Sequence, residues 1–161
     1  MTIREMKPEE IPACAELIRT SFRTVAEEFD ITPENAPRFT AFAVNEERLR
    51  WQLFTEKRPM FTAWEGETPA GYCSLLRLSD GAWELNNLCT HPDFRHHGIG
   101  GKLLQHAEHT AKRFGGKVMQ LGIVEENQRL RRWYEAAGYR YTGTKKFDFF
   151  PFTCGYLEKA L

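Results

Sequence analysis

The stretch T-H-P-D-F-R-H-H-G-I-G-G-K-L-L, Thr90 to Leu104, constrains this chain more than any other. It follows a strand-like run and opens a long amphipathic helix whose apolar face reads Ile99, Leu103, Leu104, Ala107, Ala111 and Phe114. A glycine-rich turn between strand and helix exposes several backbone N–H groups at the positive end of the helix dipole, which is a ready site for phosphate. Gly98 and Gly100 let the backbone approach a ligand closely. Arg95 and Lys102 can add charge-assisted contacts of about 1.5–3 kcal/mol each when well placed. Two familiar phosphate motifs fail on the residues themselves. A dinucleotide fingerprint G-x-G-x-x-G counted from Gly98 ends on Leu103. A P-loop G-x-x-x-x-G-K-[ST] finds His96 at its first glycine and Leu103 at its hydroxyl position.

Around this turn the pattern predicts an α/β chain with a mixed (α+β) sheet. A short strand over residues 2–6 leads to a helix start at Pro8, Glu9 and Glu10, followed by the stripe Ile11, Cys14, Ala15, Ile18 and Phe22. D-I-T-P-E-N-A-P, Asp30 to Pro37, reads as a loop, and a second helix is expected from about Asn45 to Phe54. Strands over 60–65, 70–78 and 82–90, joined by turns too short for crossover helices, predict an antiparallel meander. Then come the long helix, stopped at Gly115-Gly116, a strand over 117–124, a helix over 128–137 and two closing aromatic-rich strands, around 141–149 and 153–157. With 161 residues and no linker or repeat, one domain over 1–161 is expected.

Composition narrows the function. The 22 basic and 22 acidic residues cancel, which removes the electrostatic basis for non-specific nucleic-acid binding. No apolar stretch reaches the roughly 20 residues that span a bilayer, and the N-terminus lacks a signal-peptide core, so a cytoplasmic protein without membrane partners is expected. Cys14, Cys73, Cys89 and Cys154 form no C-x-x-C pair and read as thiols in a reducing compartment. The five histidines lack H-E-x-x-H spacing, so no metal site is expected.

Arg95, Gly98 and Gly100 do satisfy R-x-x-G-x-G. This segment resembles the pyrophosphate-binding turn of the GCN5-related N-acetyltransferase (GNAT) superfamily. Downstream, E-E-N-Q-R-L-R-R-W-Y-E-A-A-G-Y, Glu125 to Tyr139, places Asn127 and Tyr134 seven residues apart, about 20° out of register and roughly 10 Å along one helix face. That pairing, with Gly138-Tyr139 closing the helix, is similar to a second motif of the same superfamily. The resemblance covers most of the chain and is weakest from about Val25 to Val44. It implies acetyl-CoA as cosubstrate, held by the turn through Arg95, His96, His97, Gly98, Ile99, Gly100, Gly101 and Lys102. It implies that Asn127 contacts the pantetheine arm and that Tyr134 protonates the departing thiolate. It also implies that backbone groups of Leu88 and Thr90 pair with the pantetheine like an added strand, and that the N–H of Leu88 or Cys89 polarises the thioester carbonyl.

A thioester is already activated, so orientation, oxyanion stabilisation and proton management remain for the protein. An alkyl ammonium with a pKa near 10.4 must lose a proton before it attacks. Glu84, eleven residues before Arg95 at a spacing that resembles the base-bearing strand of some GNAT enzymes, is the candidate base. Strand alternation, unless a bulge interrupts it, places Glu84, Asn86, Leu88 and Thr90 on one face. Direct transfer to a primary amine of a small molecule or peptide is the expected reaction, ahead of an acyl-Cys89 route. A non-catalytic acyl-CoA sensor or scaffold is the alternative, against which Tyr134 argues, since binding alone needs no acid near sulfur. Phe147, Phe149, Phe150, Phe152 and Tyr156 read as core or as an acceptor wall. Superfamily members are often dimers, so the resemblance allows a homodimer.

Overall fold

Ile11, Cys14 and Ile18 of the first helix stripe, and Leu17 beside them, are 3% exposed or less, and each buried aliphatic among them contributes about 1.5–3 kcal/mol. The computed structural model describes all residues 1–161. Its elements are β1 (Thr2–Glu5), α1 (Ile11–Glu28), α2 (Thr40–Ala43), α3 (Glu46–Phe54), β2 (Met60–Glu65), β3 (Thr68–Ser79), β4 (Ala82–Thr90), α4 (Ile99–Arg113), β5 (Val118–Val124), α5 (Gln128–Ala136), β6 (Arg140–Lys146) and β7 (Thr153–Ala160). No helix is long and apolar enough to cross a membrane.

The seven strands form one sheet in the order β1-β2-β3-β4-β5-β7-β6, antiparallel throughout except for the β4–β5 pair. This is the mixed sheet that the pattern predicts. One face is covered by α4, whose Ile99, Leu103, Leu104, Ala107 and Ala111 join Leu75, Trp83, Leu85, Met119, Leu121 and Leu157 in the larger core. The opposite face carries α1 and α3, where Ile11, Ile18 and Leu49 meet Met60, Tyr72 and Cys89. Gly71 is the closest approach of β3 to α4: a Cβ there would stand 2.7 Å from Leu103 Cδ1 and 2.8 Å from Ile99 Cγ2.

A bulge in β4 decides which side chains face which way. Tyr72 pairs with Cys89 and Ser74 with Asn86, so three steps on β4 oppose two on β3, and Asn87 takes a left-handed φ of 54°. The alternation expected for Glu84, Asn86, Leu88 and Thr90 therefore breaks in the middle. Trp83, Leu85 and Leu88 pack in the α4-side core, which leaves Glu84 and Asn86 on the α1–α3 side. Past the bulge the parity reverses: Cys89 enters the α1-side core, and Thr90 Oγ1 lies 3.6 Å from where a Cβ on Gly100 of α4 would stand.

Two other differences arise in the aromatic segments. The strand expected around 141–149 stops at Lys146, because Lys146 Nζ donates to the carbonyls of Phe147 and Phe150 and closes a turn. Phe147 stacks on Phe149 with centroids 5.1 Å apart, and Phe150 stacks on Phe152 at 4.6 Å, so these rings leave the sheet. The region around Asp30 to Pro37 is irregular as expected, but the single-turn helix α2 follows it. Phe39, just before α2, meets Phe152 edge-on at 5.7 Å, which ties two distant loops together.

Candidate active site

β4 and β5 pair over three steps only: Ala82 with Val118, Trp83 with Met119, and Glu84 with Gln120. Beyond Glu84 the bulged β4 continues against β3 while β5 continues against β7 to Val124, and the two strands part. Backbone groups along a parted edge have no ladder partner across the gap and are free to take an extended ligand as an added strand. The gap opens into a cleft of about 540 Å³. Its walls are α1 on one side, the end of β4 (Leu88, Cys89, Thr90), the turn before α4 and the α5 helix.

The turn supplies the polar end. Gly98 is the N-cap of α4 with φ 82°, a conformation that glycine adopts freely, and a Cβ there or at Gly101 would meet nothing within 4 Å. His96 also has a positive φ, 67°. The N–H of Lys102 bonds to the Gly98 carbonyl at 3.1 Å, so the amides of Ile99, Gly100 and Gly101 precede the helix ladder and point out of its N-terminus. His96, Gly98, Ile99, Gly100 and Gly101 line the cleft, whereas His97 and Lys102 are exposed and lie outside its walls. Arg95 lines the cleft, and part of its guanidinium is held by the protein: Nε donates to the Thr90 carbonyl (3.2 Å), and Nη2 to the Ser21 carbonyl (3.1 Å) and Thr24 Oγ1 (2.9 Å). It clamps α1 to the turn.

The far wall is α5. Asn127 caps it, with Oδ1 accepting from the Leu130 N–H at 3.2 Å, and is buried at the cleft surface. Tyr134, one face further along, is 5% exposed and held edge-on between Trp133 and Tyr139. Burial pushes its phenol well above the ordinary value, with Cys73 and Cys89 adding to the effect, so the hydroxyl keeps its proton at neutral pH. Cys89 is buried beside it on the cleft wall, and burial drives that thiol up to about 12, which leaves it inert as a nucleophile. No group of three or more His, Cys, Asp and Glu side chains converges as a metal cage.

Glu84 sits where the strands begin to part, on the sheet face opposite Leu88 and outside the cleft walls. Four residues at about 3.3 Å each separate it from Leu88 along the strand. Its Oε1 accepts from Asn86 Nδ2 at 2.8 Å, and Asn86 Oδ1 accepts from Arg58 Nη1 at 2.8 Å.

Several wall residues have no signal in the sequence motifs. Ser21, Phe22, Thr24, Val25 and Glu28 of α1 lie some seventy residues before the turn, and their spacing serves the helix as much as the cleft. Trp133 lies 3.6 Å from where a Cβ on Gly100 would stand, joining α5 to the turn, and its neighbour Tyr134 was the only cue to it. At the rim, Arg129 of α5 pairs with Glu28 of α1 at 3.1 Å.

Known proteins share this fold. An uncharacterized N-acetyltransferase of Mycobacterium tuberculosis is 28% identical over 117 residues, covering 73% of this chain and 75% of its own length. The PaiA N-acetyltransferase of Thermoplasma acidophilum, solved in complex with coenzyme A, superposes with a TM-score of 0.86 at 20% identity over 99% of this chain and 98% of its own. The yncA acetyltransferase of Salmonella typhimurium, solved with acetyl-CoA, gives a TM-score of 0.74 at 23% identity over 99% and 93%. The model of the acetyltransferase (GNAT) family matches residues 16–139, from α1 through the Tyr134 helix, and the chain belongs to that family.

Proposed function

We propose that the protein is an N-acetyltransferase that moves an acetyl group from acetyl-CoA to a primary amine of a small molecule or peptide, with both substrates bound at once. The observation that carries this reading is the cleft bounded by α1, the end of β4, the turn before α4 and α5, which has unpaired helix-terminal amides at one end and a protonated, buried phenol on its far wall. The residues fit the ligand: an open, left-handed Gly98 and free amides suit a pyrophosphate, and the apolar Leu88 and Leu130 suit a pantetheine arm. Solved relatives of the same fold hold coenzyme A or acetyl-CoA. We read residues 1–161 as one catalytic domain.

Acetyl-CoA supplies an activated acyl group; the chain supplies binding and proton control. Amides of His96 through Gly101 hold the phosphates, Asn127 and the edge of Leu88–Thr90 orient the arm, and the Leu88 or Cys89 N–H donates to the acyl oxygen. Glu84 takes the proton from the acceptor ammonium, through water given its distance from Leu88. Tyr134 holds a proton at Oη and donates it toward the sulfur as the C–S bond breaks. The burial that raises this phenol also raises a thiolate placed beside it, so the donor and acceptor stay matched closely enough for the transfer. The high thiol value of Cys89 favours direct attack over an acyl-cysteine.

The test is thiol release from acetyl-CoA in the presence of amines, amino acids, polyamines and peptides. Release dependent on one amine class establishes the transfer and names the acceptor. Binding of acetyl-CoA without release from any amine favours a sensor.

A further inference from the structure

Arg58, in the segment between α3 and β2, lies far in sequence from both family motifs, yet it bonds to the residue that holds Glu84. We infer that Arg58 is a positioning residue for acyl transfer, acting through Asn86 to fix the Glu84 carboxylate; the inference rests on the reading of Glu84 as the base.

The chemistry of the donors imposes a direction on the chain. Arginine only donates, so the Asn86 group facing Arg58 Nη1 at 2.8 Å is the carbonyl Oδ1. The amide is then oriented with Nδ2 toward Glu84, and it donates to Oε1 at 2.8 Å. Arg58 is itself locked, because Nε and Nη2 grip the two carboxylate oxygens of Glu56 at 2.7 and 3.2 Å, and the pair is largely buried, with side chains 11% and 19% exposed. A bidentate pair of this kind holds its geometry far better than an exposed one. The result is a series that starts at Arg58, which Glu56 anchors by accepting from it, and runs donor to acceptor from Arg58 to Asn86 to Glu84, reaching the apex where β4 and β5 part. One oxygen of Glu84 is committed to accepting an N–H. The other, Oε2, is free to take the proton when the N–H bond of the acceptor ammonium breaks, and that proton then passes to water. Without Arg58, Asn86 Oδ1 loses its donor, the amide is held on the protein side only by the long 3.3 Å contact from Nδ2 to the Leu85 carbonyl, and its grip on Glu84 loosens.

The series also accounts for the placement of the bulge. Asn86 comes before Asn87, so Asn86 shares the face of Glu84; an insertion one residue earlier would have turned it into the opposite core.

The experiment combines two readouts. In the first, the side-chain amide of Asn86 is followed by 15N–1H NMR in the full-length protein, with no acceptor needed. Arg58→Ala is expected to move and broaden that signal pair, and an unchanged signal overturns the inference. In the second, turnover is measured with the most active alkylamine of the panel and with hydroxylamine, whose nitrogen is already unprotonated at neutral pH. Arg58→Ala is expected to lower kcat with the alkylamine about ten-fold, leave KM for acetyl-CoA unchanged and spare the hydroxylamine reaction. In a Glu84→Gln background the same change is expected to cost nothing more, since it acts only through Glu84. Equal loss with both nucleophiles, or an equal loss on top of Glu84→Gln, overturns the positioning role. Full alkylamine turnover by Glu84→Gln alone sinks the base reading, and the positioning role falls with it. An inactive Glu84→Gln beside a fully active Arg58→Ala sinks only the positioning role.

Discussion

The two halves of the proposed site are built in different ways. At the proposed phosphate end the groups offered are the helix-terminal backbone amides of Ile99, Gly100 and Gly101, and the nearby Arg95 is turned inward to hold α1. Where β4 and β5 part, the groups we propose for the acceptor are side chains from separate elements: Glu84 and Asn86 from β4 and Arg58 from ahead of β2. A backbone site depends on local conformation and tolerates change in its side chains, provided none blocks the turn. A side-chain site depends on the register and parity of the sheet beneath it.

The contrast can be broken most sharply at Gly98. Gly98→Glu adds a side chain at φ 82° and a negative charge where the phosphates belong, so acetyl-CoA affinity measured by calorimetry should fall by at least about 100-fold. Undiminished affinity would remove the phosphate assignment. Next in size, Tyr134→Phe should lower kcat by about 100-fold while leaving the acetyl-CoA dissociation constant within two-fold or so. Steady-state kinetics alongside calorimetry separate the two quantities, and unchanged kcat would end the proton-donor role.

Smaller effects sharpen the account of what supports each end. Gly71→Ala forces a Cβ between Ile99 and Leu103, both fully buried, and should cost about 1–3 kcal/mol by urea unfolding. Smallest is the anchor of α1, the wall facing the cleft. Burial alone would raise the Glu10 carboxyl, but hydrogen bonds from Arg4 and the Lys7 N–H outweigh it and hold it below the ordinary range. A lowered folded value gives stability that is present above the unfolded value, near pH 4, and lost as pH falls through the folded one. Glu10→Gln should therefore lose roughly 1 kcal/mol at pH 7, with the difference from the parent closing below about pH 4. A gap that persists at pH 3 would show that the carboxylate charge is not its source.

The same division governs what could be read from the sequence. The mixed sheet, the helix stripes and the glycine turn were legible because each depends on residues close together: a period of 3.6, an alternation, a cluster of glycines. The internal partners of Arg95 were not legible, since its charge suggests phosphate while Ser21 and Thr24 lie more than seventy residues away. Leu88 and Thr90 were assigned to the face of Glu84 because a bulge at Asn87 has no glycine to announce it. Arg58 was invisible, as nothing in an isolated R-P-M segment signals a partner on another strand. The end of β6 was extended too far because a run of phenylalanines looks strand-like until Lys146 closes it into a turn.

The most direct test of the central claim is a crystal structure of the protein with acetyl-CoA bound. The account predicts the pyrophosphate against the amides of His96–Gly101 and the acyl group between the parted β4 and β5, beside Leu88 and Tyr134. Acetyl-CoA bound anywhere else, with that gap unused, would contradict it.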